Sequence, residues 1–168
     1  HAEIGVCVNL SPAELTNGHL ADEVARTLLE ARLESRHLTL EITESDAMRD
    51  ADLALERMHE LRSLGLRLAL DDFGTGHSSL ARLDALPLNL LKIAKPFVDR
   101  LLHERPDTSF VDAFVRLAYS LEMECVAEGP RLLDRGCGLG QGFYFAHPMS
   151  RDSIPEFLGR ARLASTGI

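Results

Sequence analysis

Six short β-rich runs, each separated from the next by a helix-sized interval, constrain this chain more than any single residue does. The run at 6–11 stops at Pro12, and the Asn17-Gly18 turn then leads into a helix with Leu20, Val24, Leu28 and Ala31 at helical spacing. A strand at 38–44 precedes a helix faced by Ala54, Met58 and Leu61, which Gly65 terminates. The third strand starts at Leu66 and runs into the pair Asp71-Asp72. Beyond it the pattern predicts a short helix at 78–83, a strand at 90–93, and a helix faced by Phe110, Phe114, Leu117 and Leu121 that Thr108 or Ser109 opens. A short strand at 125–129, a strand at 142–145 and a last helix capped by Ser150, with Ile154, Phe157, Leu158 and Ala161, complete the series.

Repeated βα units call for a parallel sheet with right-handed crossovers and strands buried on both faces. An open doubly wound sheet and a barrel both satisfy that demand, and the polar residues discriminate between them. Asn9, Glu41, Asp71, Asp72, Lys92, Glu128 and Gln141 fall at or near the C-terminal ends of six different strands. A doubly wound sheet gathers its ligand at one switch point, whereas a (β/α)₈ barrel converges all its strand ends on a central site. The expected fold is therefore α/β, a TIM-type (β/α)₈ barrel of which about six units are present, forming one domain over residues 1–168.

The acidic pair is the most informative point. Neighbouring side chains of an ideal strand point to opposite faces, so Asp71 and Asp72 can serve one site only where the backbone departs from that geometry. Gly74 and Gly76 supply a turn, and the segment around Phe73, Gly74, Thr75 and Gly76 reads as a loop over a site.

Composition narrows the chemistry. With 168 residues, 45% of them hydrophobic, the chain can bury a sizeable core. A formal charge of −8 and the lack of a Lys/Arg-rich stripe argue against DNA or RNA binding. The three cysteines, Cys7, Cys125 and Cys137, have no C-x-x-C spacing, so neither a zinc site nor a disulfide framework is signalled and a reducing, cytoplasmic setting is expected. No apolar run reaches the roughly 20 residues of a membrane span, and neither a span nor a signal peptide is expected within this stretch, though a parent protein could carry either.

Oxygen ligands from asparagine and carboxylates suit hard divalent cations such as Mg²⁺ or Mn²⁺, and a shared aspartate can bridge two ions about 3.5–4 Å apart. Such a pair suits phosphoryl chemistry. Lys92, one of two lysines in a chain that otherwise uses arginine, offers a compact ammonium to an attacking water.

The segments 8–12, 40–45, 71–80, 91–93, 127–129 and 141–143, in that order, resemble the EAL domain family, whose members adopt a modified TIM barrel and hydrolyse cyclic di-GMP to linear pGpG with two Mg²⁺ or Mn²⁺ ions. The resemblance implies that Asn9, Glu41 and Asp71 hold one metal, and that Asp71 and Asp72 hold the second. It implies that Lys92 and Glu128 serve the hydrolytic water and the second metal. Glu44 would steady the loop at 73–80, and Gln141 would lie near a guanine nucleotide. A homodimer and an N-terminal sensory or GGDEF-type domain in a parent protein are further implications, and that parent could be membrane-anchored.

Three departures from the family pattern qualify the expectation. No Glu-Ala-Leu tripeptide occurs, and the first motif corresponds to the family's third strand, so strands 3 to 8 of the barrel are expected here. Ala94 stands where the family usually has aspartate, which predicts a weaker hold on the second cation and slow or absent hydrolysis. Only twelve residues separate Glu128 from Gln141, too few for comfort in a helical crossover that must also end one strand and begin the next, so a stretch of chain is expected to be missing between Gly129 and Pro130. Two functions stay open: a cyclic di-GMP phosphodiesterase, which the retained site residues favour, and a non-catalytic receptor or interaction module.

Overall fold

The fold is that of a computed structural model, which describes residues 4–74, 80–99, 109–127, 137, 139–143 and 145–165. The strands are β1 (Val6–Asn9), β2 (Leu38–Thr43), β3 (Arg67–Phe73), β4 (Leu90–Ile93), β5 (Glu124–Ala127) and β6 (Leu139–Gly140). The helices are α1 (Pro12–Leu15), α2 (Leu20–Ala31), α3 (Glu44–Arg49), α4 (Ala51–Ser63), α5 (Leu80–Leu83), α6 (Lys95–Asp99), α7 (Ser109–Ser120) and α8 (Ile154–Ser165). All strand pairs are parallel and the spatial order equals the chain order, β1-β2-β3-β4-β5-β6. A parallel sheet that never reverses its order is singly wound, because right-handed crossovers then place every helix on the same face. The strands curl into part of a barrel, as the sequence predicts.

Strand periodicity divides the buried residues into two sets. Leu40, Ile42, Leu68, Leu70, Leu91, Ile93, Cys125 and Ala127 face the helices and join the main core with Ala54, Met58 and Leu61 of α4 and Val111 and Ala118 of α7. Ala69, Leu90 and Val126 alternate with them and form a separate layer on the concave face. Glu41 and Lys92 share that concave face, as the same alternation requires. At the other end, Asn89 ties three strands together. Its side-chain oxygen accepts from Leu68 N at 3.0 Å, its N–H donates to Leu68 O at 2.9 Å, and its carbonyl accepts from Glu124 N at 2.8 Å.

Several boundaries differ from the sequence expectation. The first strand stops at Asn9 because Ser11 caps a short helix, α1, in a reciprocal capping box with Glu14. Glu44 is not a strand end but the first residue of α3, which Thr43 caps by accepting from Asp46 N. The largest correction concerns the last strand, expected at 142–145 and found at Leu139–Gly140. Gly142 has φ +112°, and Phe145 N donates to Gly142 O at 3.0 Å, so the chain turns where the aromatic residues suggested extension. The ring of Phe145 folds back onto Gly140, where a Cβ would lie 2.5 Å from it. Ser150 precedes a 3₁₀ turn at Arg151–Ser153 rather than α8 itself. The expected break at Gly129–Pro130 lies outside the described residues.

Candidate active site on the concave face

The site is built around a buried ammonium. Lys92 Nζ donates to Glu41 Oε2 at 2.6 Å and to Asp71 Oδ2 at 2.8 Å, joining β2, β3 and β4. Lys92 is 3% exposed and Glu41 5%, while the Asp71 side chain keeps 22% of its surface. A buried charge survives only with close partners, and each member here supplies the other's. Burial pulls the Lys92 pKa down, but the hydrogen bonds and charges of Asp71 and Glu41 outweigh it and hold the ammonium above the ordinary lysine value of 10.5.

The register departs from regular pairing at the two adjacent aspartates. Leu70 pairs with Leu91 and Phe73 with Ile93, so Asp71 and Asp72 together oppose the single residue Lys92. That is a β-bulge, and Asp72 takes up the extra residue with a left-handed backbone, φ +54°. Its N–H turns back to Asp71 Oδ1 at 2.9 Å. For a residue with a Cβ this conformation costs roughly 1–2 kcal/mol, so its surroundings must enforce it. The other left-handed non-glycine residues described, Arg32 and Glu122, follow helix ends, where such a turn is usual.

Gly74, next but one along, is held from two sides. Its N–H donates to Glu44 Oε2 at 2.8 Å, and Glu44 is 2% exposed. Its Cα lies against rings on the opposite side, for a Cβ there would meet Phe114 Cζ and Phe97 Cε2, each at 2.8 Å.

Asn9 pairs with Glu41 across β1 and β2, which puts both on the concave face. Cys7, two residues earlier, lies against Glu41 there, and burial followed by the charge of Glu41 pushes its thiol pKa up. Gln141 follows β6 and donates its backbone N–H to Ala127 O at 3.0 Å; the residue is exposed. Glu128, Thr75 and Gly76 lie outside the described residues. Ala94 follows β4 and is buried, with its carbonyl accepting from Phe97 N at 3.0 Å.

Among the described residues no group of three or more His, Cys, Asp or Glu side chains is gathered as a metal cluster. Glu41 and Asp71 instead share the Lys92 ammonium. The chemistry of the donors nonetheless fits a hard divalent cation: Asn9, Glu41, Asp71 and Asp72 all carry side-chain oxygens, the ligand atoms such cations prefer.

Comparison with known proteins places the chain. Residues 1–148 match the family model described as EAL domain. The chain belongs to the EAL domain family. It is 40% identical to the bifunctional diguanylate cyclase/cyclic di-GMP phosphodiesterase MucR of Pseudomonas aeruginosa, covering 92% of this chain and 24% of that protein. This EAL chain therefore spans about a quarter of its relative. The PaMucR phosphodiesterase in complex with c-di-GMP superposes with a TM-score of 0.84 at 40% identity, over 92% of this chain and 65% of that one. The EAL domain of Mycobacterium smegmatis DcpA gives 0.85 at 33% identity, over 94% and 74%. A manganese/cy-diGMP complex of Klebsiella pneumoniae BlrP1 gives 0.75 at 28% identity, over 88% and 40%. Among the described residues of this EAL chain, no helix is long and apolar enough to cross a membrane.

Proposed function

We propose that this EAL domain hydrolyses cyclic di-GMP to linear pGpG with the help of two Mg²⁺ or Mn²⁺ ions. The observation that carries the reading is the buried Glu41–Lys92–Asp71 cluster, with Asp72 sharing the register position opposite Lys92. The similarity to MucR, named as a cyclic di-GMP phosphodiesterase, and to BlrP1, solved with manganese and cy-diGMP, supports it. Asn9, Glu41 and Asp71 would hold one ion, and Asp71 and Asp72 the second. Bound ions would polarise the phosphodiester and lower the pKa of the attacking water.

The chain's own residues have separate tasks. Lys92 makes two hydrogen bonds among the described residues, and its third N–H is the donor for a water lined up on phosphorus. Because the ammonium stays charged, it orients that water without taking its proton. Asp71 holds Lys92 on the side of the acidic pair, and Glu41 holds it from β2, so the donor cannot swing away. Glu44 fixes the Gly74 amide, directly after β3. Glu128 is assigned to the water and second ion, and Gln141 to the guanine nucleotide. A cytoplasmic, multidomain and dimeric parent protein belongs to the same proposal; light scattering of the full protein checks the dimer.

Ala94 favours a second reading, a nucleotide receptor without turnover, since a buried methyl replaces a possible carboxylate. One experiment separates the two: cyclic di-GMP incubated with the full protein and Mn²⁺, with products resolved by chromatography. Formation of pGpG supports hydrolysis. Nucleotide bound but recovered intact supports the receptor.

A further inference from the structure

We infer that Phe114, on α7, is a positioning residue for the acidic pair, holding the bulged backbone from Asp72 to Gly74, in which Asp72 and Gly74 have positive φ and Asp71 and Asp72 together oppose Lys92. The inference rests on the metal-dependent reading above. It starts from the aromatic contacts behind the bulge. The Phe114 ring meets Phe73 edge-on with centroids 5.3 Å apart, and meets Phe97 edge-on at 5.0 Å. Phe73 directly follows Asp72, and the tip of the Phe114 ring rests on Gly74, so one side chain touches both residues after the strained one.

Three constraints then act on three consecutive residues. Asp72 N is tied to Asp71 Oδ1, Gly74 N to the buried Glu44 carboxylate, and the Phe73 ring and Gly74 Cα are backed by Phe114 and Phe97. The first two are hydrogen bonds that orient amides, but neither opposes a shift of the segment toward α7. The rings do, because α6 and α7 hold Phe97 and Phe114 in place. Gly74 at φ +94° allows the approach, since any Cβ would collide with both rings. Without the Phe114 ring the space behind Gly74 opens, and the bulge can relax to a regular register. Regular pairing would turn Asp71 and Asp72 to opposite faces.

The test replaces Phe114 by Leu, and separately by Met, which fills similar volume with a flexible chain. Phe110→Leu is the control: it lies on the same helix, and its ring is 6.1 Å from Phe97, but it is not among the nearest contacts of Gly74. Two quantities are read in the full protein: hydrogen exchange of the Gly74 amide without metal, and Mn²⁺ affinity from the electron paramagnetic resonance of free Mn²⁺. Both Phe114 variants should exchange the Gly74 amide about tenfold faster and bind Mn²⁺ about tenfold more weakly, the scale for residues supporting metal ligands, while Phe110→Leu changes neither. An unchanged Gly74 exchange rate in either Phe114 variant overturns the inference. So does unchanged Mn²⁺ affinity, or a Phe110→Leu that behaves like Phe114→Leu. If the unsubstituted protein binds no Mn²⁺, the proposed function fails instead, and the exchange rates still decide whether Phe114 holds the bulge.

Discussion

Replacing Lys92 by Met is the most direct test of the buried cluster. The substitution keeps the length and apolar stem of the side chain and removes only the ammonium, leaving Glu41 buried and Asp71 about one-fifth exposed without their shared partner. Removing one member of a buried ion pair costs about 3–5 kcal/mol. Because Asp71 remains partly solvated, the lower end applies, about 3 kcal/mol. At about 2–4 °C per kcal/mol for a chain of this size, the melting temperature should fall by roughly 6–12 °C. The pH dependence follows from the raised lysine pKa. A basic group whose pKa is higher when folded contributes stability that is fully present below its unfolded value, here 10.5, and lost as pH rises through the higher folded value. Urea unfolding of both proteins at about pH 7 and about pH 9 should thus give the same difference in stability. A difference under about 1 kcal/mol, the range of exposed pairs, would show that the cluster does not stabilise the fold. A difference that shrinks between those two pH values would show that the carboxylates do not outweigh burial at Lys92.

Other substitutions test separate links. Asp71→Asn should lower any metal-dependent turnover by more than about 100-fold, beyond the loss expected for a residue that merely supports a ligand; product chromatography reads it, and unchanged turnover removes the two-metal mechanism. Ala94→Asp places a carboxylate at a buried position and should destabilise the metal-free protein by about 2 kcal/mol, with thermal melts showing recovery in excess Mn²⁺; equal melting with and without metal would mean that position 94 does not face a cation. Cys137→Ala removes a buried side chain whose thiol donates to Cys125 O at 3.1 Å, and chemical denaturation should show a loss of about 1–2 kcal/mol.

The parallel order was legible because it depends on pattern alone. Helix faces such as Leu20–Leu28 and Ala54–Met58–Leu61 repeat at helical spacing, and polar residues end the strands in turn. The misplaced last strand has a local cause: aromatic residues at 143 and 145 carry strand propensity, but Gly142 permits a turn and Gly140 accepts the Phe145 ring. The capped helices α1 and α3 were written in Ser11–Glu14 and Thr43–Asp46, and the strand reading passed over both signals. Cys125 and Cys137, unremarkable at twelve residues apart, became neighbours only once β5 and β6 paired.

The acidic pair shows where reading by pattern stops. Its spacing required that the backbone depart from strand geometry, and a strand end followed by glycines satisfied that requirement on paper. The structure satisfies it earlier, within β3, by placing two residues against one on β4. No local signal distinguishes these solutions, because the bulge depends on residues far away in the chain: Lys92 opposite it, Glu44 on one side of Gly74, and Phe97 and Phe114 on the other. Phe114 reads in sequence as one more apolar residue on a helix face, and half of its role is that. Its contact with a glycine too crowded to carry a Cβ gives the other half a physical basis, since an aliphatic side chain of similar hydrophobicity would fill the core without presenting a rigid edge to the backbone. Hydrophobic pattern therefore locates the helix, but only the fold shows that one ring on it lies against Phe73 and Gly74, directly behind the bulge that carries the two adjacent carboxylates.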